Sequence, residues 1–489
     1  MVMKKSLNIL FLAAEATPFI KVGGLADVAG SLPGALRNLP PSEINGLGLD
    51  VRLTIPFYGI IQSSNFTLEP LLNFMIPIQG GETAVSAYQC INNGVPVYFI
   101  GSEIISKSEN VYSSNGEQDR EKFILFTIAA LELARLLGWK VDVIHANDWH
   151  TALALYLIKT RQTNKFYNNT SGILTVHNLP YMGGDGQIIF HKYEIHGLND
   201  IALPTWARNQ MLPMGLWAAD AIVAVSKTYA DEIKTPEYGC GLHGFLKCIS
   251  SKITGIVNGL DLKQWDPFLD PKLFKKFNAE NLENRKKNKI FLLESLTLMK
   301  DITIPLICMV TRINYQKGVD TSIRALHLLL ELPWNFVLLG SGDPYIEAEL
   351  NQFQAEYPDR VRILLKYDDE MSRQIYAGAD ILLMPSRYEP CGLSQMIAMR
   401  YGCVPVVHNT GGLKDTVTNN ETGFVFEGSE PELQAAAIRK ALTVYAMQRE
   451  WEQIQRNGMV KDFSWSRSAL GYDAIYRSLV ADKSSGGNT

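Results

Sequence analysis

At 489 residues the chain is too long for one hydrophobic core, and its 46% hydrophobic and 20% charged content is that of a globular protein of two domains. A formal net charge of −4 excludes bulk attraction to nucleic acid or to an anionic membrane, so basic side chains must act locally. No apolar run reaches membrane-spanning length, and Met1–Lys5 leads into a short strand without the apolar region and cleavage site of a secretory signal.

Short β-branched runs alternate with helical patterns, which predicts an α/β chain of βα units with parallel sheets. In the first half the strand runs are Asn8–Ala13, Asp50–Ile55, Pro96–Ile100, Val143–Ala146, Gly172–Val176 and Ala221–Val225. Helical patterns cover Glu121–Leu137 and Thr151–Lys159, Pro40–Leu49 reads as loop, and Glu82–Asn93 reads as a hairpin ending in the turn Asn92-Asn93-Gly94. A second series is predicted to begin at Ile253–Val257 and to continue at Pro305–Val310, Asn335–Leu339, Val361–Leu365, Ile381–Met384, Val404–Val407 and Gly423–Phe426. Phe268–Lys289 is lysine-rich, a charge-laden helix or linker. The expected domains are therefore 1–252 and 253–462, followed by a helix over 463–480 and a frayed tail over 481–489. Two doubly wound domains facing a deep cleft would bind ligands at the carboxyl ends of their strands.

The suspicious motifs all follow such strand ends. Lys21-Val22-Gly23-Gly24-Leu25-Ala26-Asp27-Val28 joins the first strand to a helix, where a glycine turn, helix N–H groups and a lysine suit an anion. An ordinary strand–turn–helix connection with a solvated lysine is the plain alternative. His145-Ala146-Asn147-Asp148-Trp149-His150 and Thr175-Val176-His177-Asn178-Leu179 each close a strand. A single buried histidine is usually structural, but two such clusters at adjacent strand ends favour a site. Arg312 ends another strand and Lys317-Gly318 follows it, a fork and a point charge suited to a pyrophosphate. Basic residues at a helix start oppose the helix dipole unless an anion sits there. Pro385-Ser386-Arg387-Tyr388-Glu389-Pro390-Cys391-Gly392-Leu393 places a carboxylate at a strand-to-helix turn, where it can take sugar hydroxyls or simply complement a helix. Thr410-Gly411-Gly412-Leu413 repeats the Gly-Gly pattern of the first half.

The six cysteines (Cys90, Cys240, Cys248, Cys308, Cys391 and Cys403) show no CxxC pair or zinc spacing, which fits reduced thiols in a cytoplasm-like compartment. There is no Asp-x-Asp pair, so neither a metal nor another cofactor is implied. No Ser-His-Asp order or nucleophile elbow appears either.

Taken in order, these segments resemble the bacterial glycogen synthase and plant starch synthase family. The resemblance rests on 21–28, 147–152, 175–179, Thr235–Gly239, Val257–Asp261, Trp265–Pro267, Arg312, Gln316–Gly318, Leu339–Asp343, Met384–Leu393, Thr410–Leu413, Asp415–Val417 and Phe463–Trp465, and it spans about 7 to 478. It implies the GT-B architecture and a retaining transfer of glucose from ADP-glucose to the non-reducing end of an α-1,4-glucan. The implied partners are that donor and the glucan or maltooligosaccharide, in association with glycogen or starch particles, with no nucleic acid and no membrane.

Carried over by position, Glu389, His177, Asp148, Arg312 and Lys317 are implied as the catalytic set. Arg312 and Lys317 would neutralise the donor diphosphate, with Lys21 and the Gly23-Gly24 turn. Asp27, Asn258 and Tyr367 would lie near the nucleotide, Tyr367 stacking on adenine. Cys391, Gly392 and Leu393 complete the implied donor-binding set with Gly411, Gly412 and Leu413, whose turn would supply backbone donors. By the same resemblance the last helix would cross back onto the first domain. Three departures stand out: the Pro40–Leu49 segment, His243 where an acidic residue is usual, and Val407–Thr410 without the usual basic residues.

Rival readings are weaker. A sucrose- or trehalose-related GT-B enzyme should lack Lys21–Val28 and the His177-Asn178-Leu179 context. A glucan phosphorylase would need a pyridoxal-phosphate lysine setting that is not found. A binding or priming protein without turnover would be expected to have lost Lys21, Arg312, Lys317 or Glu389.

Overall fold

The computed structural model describes residues 6–44, 47–108, 110–160 and 165–486, and divides the chain into two compact units, Met1–Gly259 with Trp465–Thr489, and Leu260–Ser464. In the first unit the strands are β1 Ser6–Leu12, β2 Gly48–Pro56, β3 Glu69–Ile78, β4 Gly81–Asn92, β5 Val95–Gly101, β6 Val143–Asn147, β7 Ser171–Val176, β8 Ala221–Ala224 and β9 Ile253–Gly255. They form one sheet in the order β3-β4-β5-β2-β1-β6-β7-β8-β9, parallel except where β4 runs antiparallel to β3 and β5. The turn at Asn93-Gly94 has φ of 49° and 79°, the left-handed pair that a two-residue hairpin needs. β3 was not foreseen: half of its residues are exposed, so its alternation is weak.

The inner strands are apolar on both faces. Ile9, Phe11, Val51, Ile55, Ile144, Ile173, Leu174 and Ile222 are all fully buried, as a sheet covered by helices on both sides demands. Helix α1 (Gly24–Arg37) buries Leu25, Ala26, Val28, Ala29, Leu32 and Leu36. The helix Trp465–Gly486 packs on α1 and β7 within this unit. Its Tyr476 hydroxyl meets His145 Nδ1 at 2.7 Å, and its Ser468 hydroxyl donates to Val257 O at 2.7 Å.

The second unit holds β10 Leu306–Val310, β11 Asn335–Gly340, β12 Val361–Leu365, β13 Ile381–Met384, β14 Val404–His408 and β15 Phe424–Phe426, all parallel, in the order β12-β11-β10-β13-β14-β15. This is the doubly wound order, with the strand direction of growth reversing between β10 and β13. Its core joins Ile307, Met309, Leu338, Ile381, Leu383 and Val406 to Trp334, Phe353 and Trp451.

Three expectations need correction. Ile253–Val257 does not open the second series: β9 pairs with β8, and Ile256 N–H continues that ladder to Ala224 O at 2.9 Å. The units part between Gly259 and Leu260 rather than at 252. The stretch 481–489 is not a frayed tail from its start, because helix continues to Gly486 and Lys483 Nζ donates to Thr170 O; 487–489 lie outside the described residues. The lysine-rich stretch 268–289 is irregular up to the helix Glu283–Ser295, whose Arg285 and Lys289 are buried and paired with Asp380.

Candidate active site

Each sheet changes direction of growth at one point, and the candidate side chains follow strands at or near it. In the first unit that point lies between β1 and β6. The chain leaving β1 runs through Glu15 to the Lys21–Gly24 turn. Glu15 is 1% exposed, and its carboxylate accepts the N–H groups of Val22 (2.5 Å) and Gly23 (3.1 Å). Burial raises its pKa, against those two hydrogen bonds. Sequence reasoning missed Glu15; the one available signal is an acidic residue closing an apolar strand run just before the glycines. Gly23 N–H is thus spoken for, while α1 begins at Gly24 with no side chain capping it. Lys21 Nζ donates to Asp27 Oδ1 at 2.8 Å, half-exposed.

At the end of β6 the backbone turns sharply, and Asp148 opens the helix Asp148–Thr160 at φ 52°, a left-handed conformation rare outside glycine. Its Oδ1 accepts the N–H of His177 at 2.7 Å and of Asn178 at 3.3 Å, tying the ends of β6 and β7 together. Burial pushes the Asp148 carboxyl up to about 7, with a smaller push from the charge of Glu15. Burial holds His177 down at about 3, so its ring is neutral. Asn147 Nδ2 donates to Leu12 O at 2.9 Å, which turns Asn147 Oδ1 toward His177 Nε2, also 2.9 Å away. Nε2 therefore carries the proton and Nδ1 remains an acceptor. His145 is different: both ring nitrogens are taken, by Tyr476 and by Thr175, so it is a core residue. Asn258 also falls in this unit, buried, its Oδ1 unpartnered among the described residues.

In the second unit the switch point lies between β10 and β13. Arg312 follows β10, is exposed, and has no carboxylate partner among the described residues. Lys317 sits in a short 3-10 turn, Tyr315–Lys317, rather than in the helix itself, which starts at Val319. Gly318 makes the corner at φ 65°, where a Cβ would lie 2.4 Å from Pro385 O. That contact locks the chain after β10 to the chain after β13. As a result Lys317 Nζ reaches Glu389 Oε2 at 2.5 Å, and Ser386 Oγ donates to the same oxygen at 2.9 Å. Lys317 and Glu389 side chains are 16% and 7% exposed. Arg387, in contrast, pairs with Asp320 at 2.8 Å and lies over the Tyr315 ring, so it holds the loop rather than offering a free charge.

The Gly411–Leu413 turn requires a correction. Gly412 N–H donates to Glu389 O at 3.0 Å and Leu413 N–H to Thr410 O at 3.1 Å, so neither amide is a spare donor. A Cβ on Gly412 would lie 2.2 Å from Cys391 O, so the turn instead backs the Glu389–Cys391 segment. Gly392, at φ 74°, and Leu393 lead into the helix Ser394–Arg400, and Cys391 is buried. Tyr367, after β12, is 81% exposed. The His408 of the atypical Val407–Thr410 segment bonds Ser386 O at 2.8 Å through Nδ1, and so steadies the serine beside Glu389. His243 begins the short helix His243–Cys248. Among the described residues no group of three or more His, Cys, Asp or Glu could hold a metal ion, and no helix is long and apolar enough to cross a membrane.

Residues 8–248 match the family described as starch synthase catalytic domain, and 277–458 match glycosyl transferases group 1. The glycogen synthase of Caldicellulosiruptor saccharolyticus is 40% identical over 97% of this chain and 100% of its own length. That of Bacillus cereus is 34% identical over the same shares. This chain belongs to the glycogen and starch synthase family of glycosyltransferases. Among solved structures, the catalytic domain of starch synthase IV from Arabidopsis thaliana, bound to ADP and acarbose, matches with a TM-score of 0.87 and 32% identity, covering 97% of this chain and 100% of that one. Sucrose-phosphate synthase from Thermosynechococcus elongatus shares the fold at 19% identity and a TM-score of 0.62, over 97% of this chain and 100% of its own. The family's GT-B fold is the two parallel-sheet α/β units described above.

Proposed function

We propose that this enzyme transfers glucose from ADP-glucose to the non-reducing end of an α-1,4-glucan with retention of anomeric configuration. The observation that carries the reading is the largely buried Lys317–Glu389 pair at the switch point of a sheet, with Arg312 exposed after β10 and without a carboxylate partner among the described residues. The Lys317 ammonium sits largely out of water and an exposed guanidinium follows the same strand, β10, charges that an anionic ligand would use.

Departure of the nucleoside diphosphate puts negative charge on its phosphates, which Arg312 and Lys317 stabilise electrostatically, assisted by Lys21. The sugar left behind gains positive character. Asp148, His177 and Glu389 supply the carboxylates and the neutral acceptor nitrogen that hold its hydroxyls and share that charge. Glu389 Oε2 is already held by two donors, Lys317 and Ser386, which lowers its nucleophilicity. That supports same-face attack, in which the departing phosphate accepts the proton of the incoming glucan hydroxyl, over a covalent intermediate on this carboxylate. Asp27, Asn258, Tyr367 and the Cys391–Leu393 segment are proposed to line the nucleotide, and polysaccharide particles are the proposed site of action.

The test is incorporation of labelled glucose into maltooligosaccharide primers, with ADP-glucose and UDP-glucose compared side by side. Extension with preference for ADP-glucose is expected. No extension from either donor by folded protein would favour a glucan-binding or priming role instead.

A further inference from the structure

Glu15 is a buried charge that the proposed reaction does not use. It cannot be a core filler: a carboxylate at 1% exposure costs stability unless its oxygens are satisfied. Among the described residues they are satisfied by backbone, the N–H groups of Val22 and Gly23 in the turn that carries Lys21. We propose that Glu15 is the positioning residue of this turn: by taking the Val22 and Gly23 N–H groups it leaves Lys21 and the uncapped first turn of α1 as the groups that meet the donor diphosphate. The inference rests on the donor reading given above.

The geometry explains why a charge is needed. Both oxygens of Glu15 face N–H donors: Oε2 takes Val22 and Gly23, and Oε1 stands 3.2 Å from Gly23 N. A glutamine of the same shape would turn an NH2 toward one of those donors, so it preserves volume but not the turn. Several groups face this carboxylate. Lys21 and Asp27 lie on the turn and α1, and Asp148 comes from the end of β6. The Tyr58 hydroxyl, which donates to Ala14 O, lies within electrostatic range of it, on the segment after β2. His177, just after β7, stands beyond Asp148. Glu15 and Asp148 are therefore two buried carboxylates within electrostatic reach, and removing one charge must ease ionisation of the other.

The experiment compares the full-length wild type with Glu15→Gln, measuring donor KM, primer KM, kcat against pH, and ADP binding by calorimetry. Expected for Glu15→Gln is a donor KM and an ADP dissociation constant raised about tenfold, from loss of hydrogen bonds to a charged group, with primer KM within about twofold. The acidic limb of kcat should also move to lower pH, a change that a merely structural role would not produce. Unchanged donor KM and ADP affinity in an active variant would overturn the proposal, as would a loss confined to kcat. If the wild type itself fails to extend primers, the donor reading fails instead. Hydrogen exchange on the wild type covers the case of a variant that does not fold. Slow exchange of the Val22 and Gly23 amides in ADP-free protein is expected, and fast exchange there would overturn the assignment.

Discussion

Replacing Lys317 with methionine removes one half of a largely buried pair while keeping most of the side chain's volume. Glu389, 7% exposed, would keep only the Ser386 hydroxyl as a donor to its Oε2. Breaking a buried pair by removing one partner costs about 3–5 kcal/mol, and the surviving serine bond puts the expectation near about 3 kcal/mol. For a domain of this size that corresponds to a loss of about 6–12 °C in Tm. Glu389→Gln should cost a similar amount, because it leaves the largely buried Lys317 ammonium without its counter-charge. The double variant carries no buried charge at this spot. It should lose about 4 kcal/mol rather than the roughly 6 kcal/mol of simple addition, a coupling of about 2 kcal/mol in a double-mutant cycle followed by chemical denaturation. Primer extension gives the second readout, with each single variant expected to lose about a hundredfold or more in kcat and the double variant to lose little beyond that. Stability losses that simply add, to within about 0.5 kcal/mol, would refute the claim that these two charges meet in the folded protein.

Other outcomes follow from the same geometry. Arg312→Ala should leave Tm within about 1 °C, because the side chain is exposed and unpaired among the described residues, yet cut kcat about a hundredfold and flatten the salt dependence of ADP binding. The pH dependence of stability carries two opposing slopes. Asp148, raised to about 7, binds its proton more tightly folded than unfolded, so stability falls as pH rises from about 4 to about 7. His177, held at about 3, must stay neutral when folded, so its contribution is full above about 6.5 and is lost as pH falls toward 3. Asp148→Asn should therefore make the denaturation midpoint climb more steeply with pH between about 4 and 6.5 than in the wild type, and His177→Gln less steeply. Midpoints that follow the wild type in both variants would contradict these assignments. Gly412→Ala should lower Tm and donor affinity together, since its Cβ would lie 2.2 Å from Cys391 O and overpacking of this kind costs about 1–3 kcal/mol. Normal donor affinity with a lowered Tm would separate the turn from the site.

Much of the candidate site is legible in sequence because each candidate residue follows an apolar, β-branched run. Such runs become parallel strands wherever they are buried on both faces, and strand ends at a switch point are where ligands bind. Arg312, Lys317, Glu389, Asp148 and His177 could all be named on that ground together with the resemblance. Hydrogen-bond partners were not legible in the same way. Glu15 and Gly412 show why: one carboxylate consumes amides seven and eight residues away, and one glycine amide is taken by a carbonyl on a different strand connection. Spacing identifies a Gly-Gly turn but says nothing about whether its N–H groups are already satisfied.

The alternation of short β-branched runs with helical patterns, and the punctuation at strand ends, thus determined, without any structure, that this chain forms two wound α/β units with charged groups at their strand ends. Tertiary packing decided the rest. It joined β9 to the first sheet, brought the helix Trp465–Gly486 into the first unit, and brought Lys317 within 2.5 Å of Glu389 across 72 residues of chain. Local patterns report which face of a segment avoids water, a property of neighbouring residues. Which buried donor meets which acceptor depends on segments far apart in sequence, and only the folded chain brings them together.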